Sequence, residues 1–286
     1  MSQEGKCRAV LEIGPYQLHD VPSGTFGLDG GAMLGIVPRP LWEKSNPPDE
    51  RNRIALAMRL LLIEGPERTF LVDTGIGDKF SDKLNGIYAV KNTLLPDEAV
   101  KAAGFDPASI TDVVLTHLHF DHGGGSTRKD GSAVFPNARY HVQRRQFEWG
   151  RSPSLKDRGS FRSEDFMPLY REDRLELVDG RAEIADGIEL LPVDGHTPAM
   201  QLVTVTDGTE TLLYCADLVP TVSHLRTPYV MAYDNEPLKT IDEKLTWVGR
   251  AADEGWILFF EHDPNLRACR VRRGDRDFEP AEEVAI

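Results

Sequence analysis

Three imidazoles and a carboxylate stand within six residues, His117-Leu118-His119-Phe120-Asp121-His122, and three glycines follow at 123–125. Imidazoles crowded this closely repel one another when protonated and lack partners when dry, so the chemistry their spacing suits is the holding of metal ions. Leu118 and Phe120 alternate with the histidines. The apolar pair can turn toward a core while His117 and His119 share the other side and grip one ion. Asp121 and His122 then face a second ion, and the glycines let the backbone fold tightly beside both.

Two ions need further ligands, and the candidates stand at the ends of other strand-like runs: His196 in VDGHTP, Asp217 in YCADLVP and His262 in FFEHD. His196 completes a three-histidine site with His117 and His119. His262 completes a second site with Asp121 and His122, and Asp217 has the charge and reach to join the two. Nitrogen and carboxylate ligands without a thiolate suit two zinc ions in a catalytic site that keeps an open position. Iron, manganese, cobalt or nickel fit the same donors. Asp73 reads as a residue that orients ligand histidines. Isolated His19 and His141 read as ordinary side chains, and Cys215 as a packed strand residue. The chemistry expected of such a site is hydrolysis by a hydroxide shared between two metals, which attacks a carbonyl carbon or phosphorus. Asp217 holds the metals together, Asp121 is placed to accept a proton, and no serine or cysteine nucleophile is required.

The elements that must bring these residues together are strands alternating with a few helices, the pattern of an α/β protein. IALAMRLLLIE, GPER and TFLVDTG read as a hairpin that ends at Asp73. TDVVLT runs directly into His117, IELLPVDG, QLVTVTD and TLLYCADL are strand-like, and WILFFEHD runs into His262. Residues 97–104 read as a short helix stopped by Gly104. A longer helix begins at Pro237 and ends at Gly255. The segment up to Pro48 is rich in Gly and Pro and can be a long loop with little regular structure, within about 1–50 taken as an N-terminal strand and substrate-loop segment. Within it, 24–42 offers Phe26, Met33, Leu34 and Trp42 as an apolar wall over the metals. Residues 151–170, the heart of a lid insertion at about 150–172, lack a clear period and read as a surface loop.

Of the 286 residues, 40% are hydrophobic and 28% charged, which allows a core of ordinary size and argues against global disorder. The 33 basic residues are outnumbered by 46 acidic ones, a formal charge of −13. Such a surface repels phosphate backbones, so a small-molecule substrate is expected and nucleic acid is not; the basic residues of 139–151 read as a solvated face. Cys7, Cys215 and Cys269 form no CxxC pair, which points to a reducing compartment. The N-terminus carries no apolar signal core and no window approaches the ~20 apolar residues of a membrane span, so no membrane is expected and the cytoplasm is the expected location. A homodimer contact is open to the apolar loop residues.

The set VDTG at 72–75, THLHFDHGGG at 116–125, GHTP at 195–198, ADL at 216–218 and EHD at 261–263 resembles the metallo-β-lactamase superfamily over about residues 54–264. The resemblance implies a single domain over 1–286, a four-layer αβ/βα sandwich of two mixed sheets flanked by helices, with the metals in a cleft between the sheets. It implies His117, His119 and His196 on one metal, Asp121, His122 and His262 on the other, and Asp217 between them. Within the superfamily the pattern is similar to the lactonase and organophosphate-hydrolase branches, which implies cleavage of a lactone or ester. Phosphotriesterase, phosphodiesterase or β-lactamase activity is the alternative on the same metals, and a sulfur dioxygenase using one iron is the redox alternative. Lactonases of this type carry a tyrosine three residues after the bridging aspartate, where this chain has Pro220. His224, Tyr229 and Tyr233 are the candidates by proximity to supply a proton in its place. The glycine usual after GHTP is Ala199.

Overall fold

The computed structural model describes residues 9–286; Cys7 and the first eight residues of the stretch read for a signal lie outside them. The first sheet is laid down in chain order: β1 (Leu11–Ile13), β2 (Tyr16–Asp29), β3 (Arg53–Glu64), β4 (Thr69–Val72), β5 (Asp112–Val114), β6 (Arg139–Gln143) and β7 (Leu175–Val178). The second follows the same rule with β8 (Ala182–Ala185), β9 (Ile188–Val193), β10 (Met200–Thr206), β11 (Thr211–Tyr214), β12 (Ile257–Phe259), β13 (Ala268–Arg273) and β14 (Phe278–Glu283). In the first sheet β1 to β4 pair antiparallel and β4 to β7 parallel. In the second only β11 and β12 are parallel.

The helices are α1 (Gly30–Leu34), α2 (Arg39–Trp42), α3 (Asp82–Ile87), α4 (Pro96–Ala102), α5 (Phe120–Gly123), α6 (Arg144–Arg151), α7 (Ser163–Arg171) and α8 (Pro237–Glu254). Leu18, Leu61, Phe70 and Val114 of the first sheet are buried in one cluster with Leu190, Val203, Leu213 and Phe259 of the second, which is the seam between the sheets. Val100, Phe147, Phe166 and Leu169 carry α4, α6 and α7 onto the other face of the first sheet, and Val248 and Ala251 carry α8 onto the second. Alternate strand residues thus serve two apolar faces at once, and the helix-sheet-sheet-helix order is the four-layer sandwich that the resemblance implied. Among the described residues no helix is long and apolar enough to cross a membrane.

The hairpin, the helix after residue 96 and the helix closed by Gly255, which sits at φ 74°, stand where the sequence places them. Two segments differ. The N-terminal strand expected within the Gly/Pro-rich stretch is long and takes up much of what could be loop: residues 16–29 pair with β3, with Pro22 beside a register shift where an irregular pair needs no proline N–H. After it come the short α1 and α2. The lid segment is half helix. In α7, Pro168 cannot donate to the Glu164 carbonyl four residues back, and the Thr127 hydroxyl donates to that carbonyl instead at 2.7 Å. A proline in the interior hid this helix from the sequence pattern. The basic stretch 139–151 is neutralised in part by acids, Arg144 with Asp179 and Arg145 with Asp194, each at 3.0 Å.

Candidate metal centre

The parallel pairs of the two sheets end facing each other. From β4 and β5 come Asp73 and the Thr116-His117 step; from β11 and β12 come Asp217 and the Glu261-His262 step; the turn after β9 delivers His196. Strand ends of this kind are rigid, and the loops beyond them are open. The chain leaving His117 enters α5 almost at once, and Asp121 and His122 lie in its first turn. The glycines after it answer to steric need, since a Cβ at Gly124 or Gly125 would collide with the carbonyl oxygens of Ile76 and Thr74.

All seven expected ligands come together, in two groups. His117 Nε2 and His196 Nε2 each lie 3.1 Å from His119 Nδ1. Asp217 Oδ2 is 3.2 Å from His196 Nε2 and 3.8 Å from His117 Nε2. In the second group His122 Nε2 and His262 Nε2 are 3.2 Å apart, with Asp121 carboxylate oxygens 4.0 and 3.9 Å from them. Asp217 reaches this group too, at 3.5 Å from His122 and 3.4 Å from His262. Ring nitrogens therefore face ring nitrogens, and Asp217 Oδ1 is buried with no hydrogen-bond partner among the described residues. Converging lone pairs with an unsatisfied carboxylate oxygen between them fit a cation in each group, and the donor set, rich in imidazole and free of thiolate, fits zinc.

The rings of the candidate ligands are aimed by what holds their far nitrogens. Asp73, where the sequence placed an orienting acid, lies 3.0 Å from His122 Nδ1 and accepts the Thr116 N–H and hydroxyl at 2.7 Å each. His262 Nδ1 donates to the Ala57 carbonyl at 2.8 Å, so β3 of the first sheet fixes a candidate ligand from the second. Two acids were not singled out from sequence. Asp234 accepts from His196 Nδ1 at 2.9 Å, and Glu261 Oε2 lies 3.0 Å from His122 Nδ1. Glu261 had a signal, a carboxylate inside the apolar run WILFFEHD. Asp234 had none, because the loop that brings it to His196 is set by tertiary packing.

Burial, reinforced by the neighbouring imidazoles, holds the pKa values of His117 and His119 well below the usual range and keeps both rings neutral, the form that binds a metal. At His122 burial works in the same direction, but the carboxylates of Glu261, Asp217 and Asp121 outweigh it and push the pKa well above. Burial alone would raise Asp217; the facing His122 and His196 drive it well below instead.

The centre opens into a narrow cleft of about 70 Å³ walled by Leu28, Met33, Tyr88, Phe120, Ser160, Met231 and Tyr233, with His119, Asp121, His196, Asp217 and His262 at its floor. Of the apolar residues expected from 24–42, Met33 lines the cleft and Phe26 meets His262 edge-on at 5.3 Å; Leu34 and Trp42 pack behind them. A larger surface hollow of about 820 Å³, lined by Lys79, Arg128 and Arg162 among others, contains none of the ligands. His224 is not in the cleft wall. Its Nδ1 meets Thr221 Oγ1 at 2.8 Å and its Nε2 donates to the Met33 carbonyl at 2.9 Å, so neither nitrogen is free for a substrate. The Tyr229 hydroxyl is engaged by Arg226 at 3.0 Å. Tyr233 does line the cleft, and Tyr88, which sequence distance concealed, stands with it. Ala199 adopts φ 57°, the left-handed backbone that explains a glycine there in relatives of the pattern.

Fold and centre together define a metallo-hydrolase. The chain belongs to the metallo-beta-lactamase superfamily, whose family model matches residues 60–265. It is similar to an N-acyl homoserine lactonase from a Bacillus species, 27% identical over 269 residues, covering 89% of this chain and 96% of the relative. Among solved structures it resembles one described as a probable metal-dependent hydrolase from Staphylococcus aureus, with TM-score 0.87, 27% identity and coverage of 96% of this chain and 100% of that one. The dizinc quorum-quenching lactonase AidC shares the fold at TM-score 0.83 and 21% identity, covering 97% of this chain and 98% of its own.

Proposed function

We propose that this protein hydrolyses a lactone or ester of a small, largely apolar molecule with the help of two divalent cations, zinc by preference. The observation that carries the reading is the meeting of seven ligand side chains in two adjoining groups, with Asp217 touching both, beneath a cleft walled by apolar and aromatic residues. His117, His119 and His196 would hold one cation, Asp121, His122 and His262 the other, and Asp217 both. When bound, such a pair lowers the pKa of a shared water and polarises the oxygen of the electrophile.

The remaining work falls to the chain. Asp121, on the cleft floor, accepts a proton at a carboxylate oxygen. The phenols of Tyr88 and Tyr233 form no hydrogen bond to protein among the described residues. Burial, with a further contribution from the charge of Asp121, raises both pKa values, so both keep their protons at neutral pH. They take the donor role that Pro220 cannot fill and that the engaged nitrogens of His224 leave vacant: a hydrogen bond to the substrate oxygen and a proton for the departing alkoxide. Leu28, Met33, Phe120 and Met231 favour an uncharged substrate over a phosphate monoester. Similarity to the Bacillus lactonase supports the lactone as the first choice.

The test is metal analysis of purified protein paired with a panel of acyl-homoserine and simple lactones, aryl esters, a phosphotriester, a phosphodiester, a β-lactam and a glutathione thioester. Two metal equivalents and the highest kcat/KM on a lactone or ester are expected. One iron with thiol oxidation, or a dominant phosphodiesterase rate, would overturn the reading.

A further inference from the structure

The segment 152–162 gives Ser160 to the cleft lining, and its bonds are those of a fixed wall. Its far end is stitched to the metal-binding turn: the Phe120 N–H donates to the Ser160 carbonyl at 2.9 Å, and the Phe161 ring meets His119 edge-on at 4.7 Å. Its near end centres on Asp157. This carboxylate is only 5% exposed and accepts three side-chain donors at 2.7 Å each: Trp149 Nε1 from α6, Ser154 Oγ from the segment itself and Asn235 Nδ2 from the loop before α8. Three donors on one buried acceptor satisfy it almost completely and leave it a single geometry. Beside it Lys156 donates to the carbonyls of Tyr233 and Asp234 at 2.7 and 2.9 Å.

The loop gripped in this way is the one that aims His196. Asp234 accepts from His196 Nδ1 at 2.9 Å and the Asn235 N–H donates to the His196 carbonyl at 3.0 Å. The other side of the loop has separate anchors. Lys244 donates to the carbonyls of Arg226, Thr227 and Tyr229, and the Ala232 N–H donates to the Ala32 carbonyl at 2.8 Å. Losing the contacts from the wall would leave the loop folded, while its Asp234 end lost its hold on the imidazole.

We infer that Lys156 and Asp157 are positioning residues for the metal centre: they clamp residues 233–235 so that Asp234 holds His196 on line. This rests on the proposal that His196 is a metal ligand. The substrate then enters past a standing wall, and Tyr233, whose carbonyl Lys156 holds, is fixed by the same clamp.

The experiment uses zinc-loaded protein with Asp157→Asn, Lys156→Met and Asn235→Ala. Asp157→Asn places an amide donor among three donors, and Lys156→Met keeps the stem of an exposed residue. Zinc release is followed with a chromogenic chelator, and hydrogen exchange of the Trp149 indole N–H by NMR. One of the two zinc ions should leave about tenfold faster or more in each variant while the other keeps its wild-type rate, the scale set by removal of a group that orients a ligand. The indole N–H should exchange faster in Asp157→Asn only. kcat should fall with little change in KM, and Asp157→Asn combined with Asn235→Ala should be no worse than the stronger single variant. If Asp157→Asn does not fold, Lys156→Met decides alone through its zinc release. Variants that release both ions at the wild-type rate, or additive losses in the double variant, would overturn the inference while the metal centre stands. Wild-type protein that takes up no zinc would overturn the centre and the inference together.

Discussion

Asp234 offers the sharpest way to ask whether the first group of ligands is a metal site. Its carboxylate is almost wholly buried, with Oδ1 2.9 Å from His196 Nδ1 and Oδ2 3.1 Å from the Met231 N–H. Asp234→Asn removes the charge that makes the ring a better donor and forces its amide to face one N–H with another. Removing a partner of this kind typically costs 10–100-fold in metal affinity, about 1.4–2.7 kcal/mol. Asp234→Ala loses the same contact and also strands the Met231 N–H, a buried donor whose loss of a partner costs about 1–3 kcal/mol of folding stability. The second group is aimed by other residues, Asp73 on His122 and the Ala57 carbonyl on His262. Competition with a chelator should therefore resolve two dissociation constants in the wild type, of which only one weakens in Asp234→Asn. Asp73→Asn should weaken the other. If both constants stay at wild-type values in Asp234→Asn, or both fall together, the assignment of His196 to a separate three-histidine group is wrong.

Asp217→Ala and His119→Ala should each abolish turnover in a protein that still melts cooperatively; near-normal rates in either would dismiss the proposed centre. Gly195→Ala would place a Cβ 2.5 Å from Thr240 N and 2.6 Å from its Cα, so α8 or the turn holding His196 must shift. The expected destabilisation is about 1–3 kcal/mol, read by denaturant unfolding, with weakened metal binding. His224 is buried with its pKa lowered to about 4 by that burial, against an ordinary 6.5. An imidazole depressed in this way adds its full stability above the unfolded value and loses it as the pH falls through about 4, a contribution of about 3 kcal/mol. The chelated wild type should accordingly lose stability between pH 6.5 and 4, and His224→Gln should lose about that much less over the same range. Long dialysis against a strong chelator should remove activity, and added zinc should restore it; full activity after dialysis would count against the metal.

The convergence of the candidate ligands was legible because each follows a short β-branched or aliphatic run, and a strand that ends in a polar signature leaves little choice about where that signature points. Asp73 was legible for the same reason. What the sequence concealed depends on contacts between distant segments. Asp234 becomes an orienting acid only through distant segments, Lys244 of α8 on one side of its loop and Lys156 on the other. Tyr88 reaches the cleft through its packing on Phe120 at 4.9 Å, far from any ligand in sequence. His224 was misplaced by the converse error: closeness to Asp217 along the chain says nothing about direction, and the turn at 221–225 points the ring at Met33. An N-terminal strand was expected, but the length of β2 was concealed because Gly and Pro count locally, whereas its pairing with β3 along most of its length decides the matter.

Each sheet is built from one uninterrupted half of the chain, and the proposed ligands divide between the halves: four side chains before residue 123 and three after residue 195. Neither half can complete either group alone, so ion uptake would report that the two have docked. Because only the docked form binds, zinc at a thousand times its dissociation constant would add about 4 kcal/mol at that seam. Metal scarcity would thus be felt first as a loosening between the halves, visible to a protease, before either sheet comes apart.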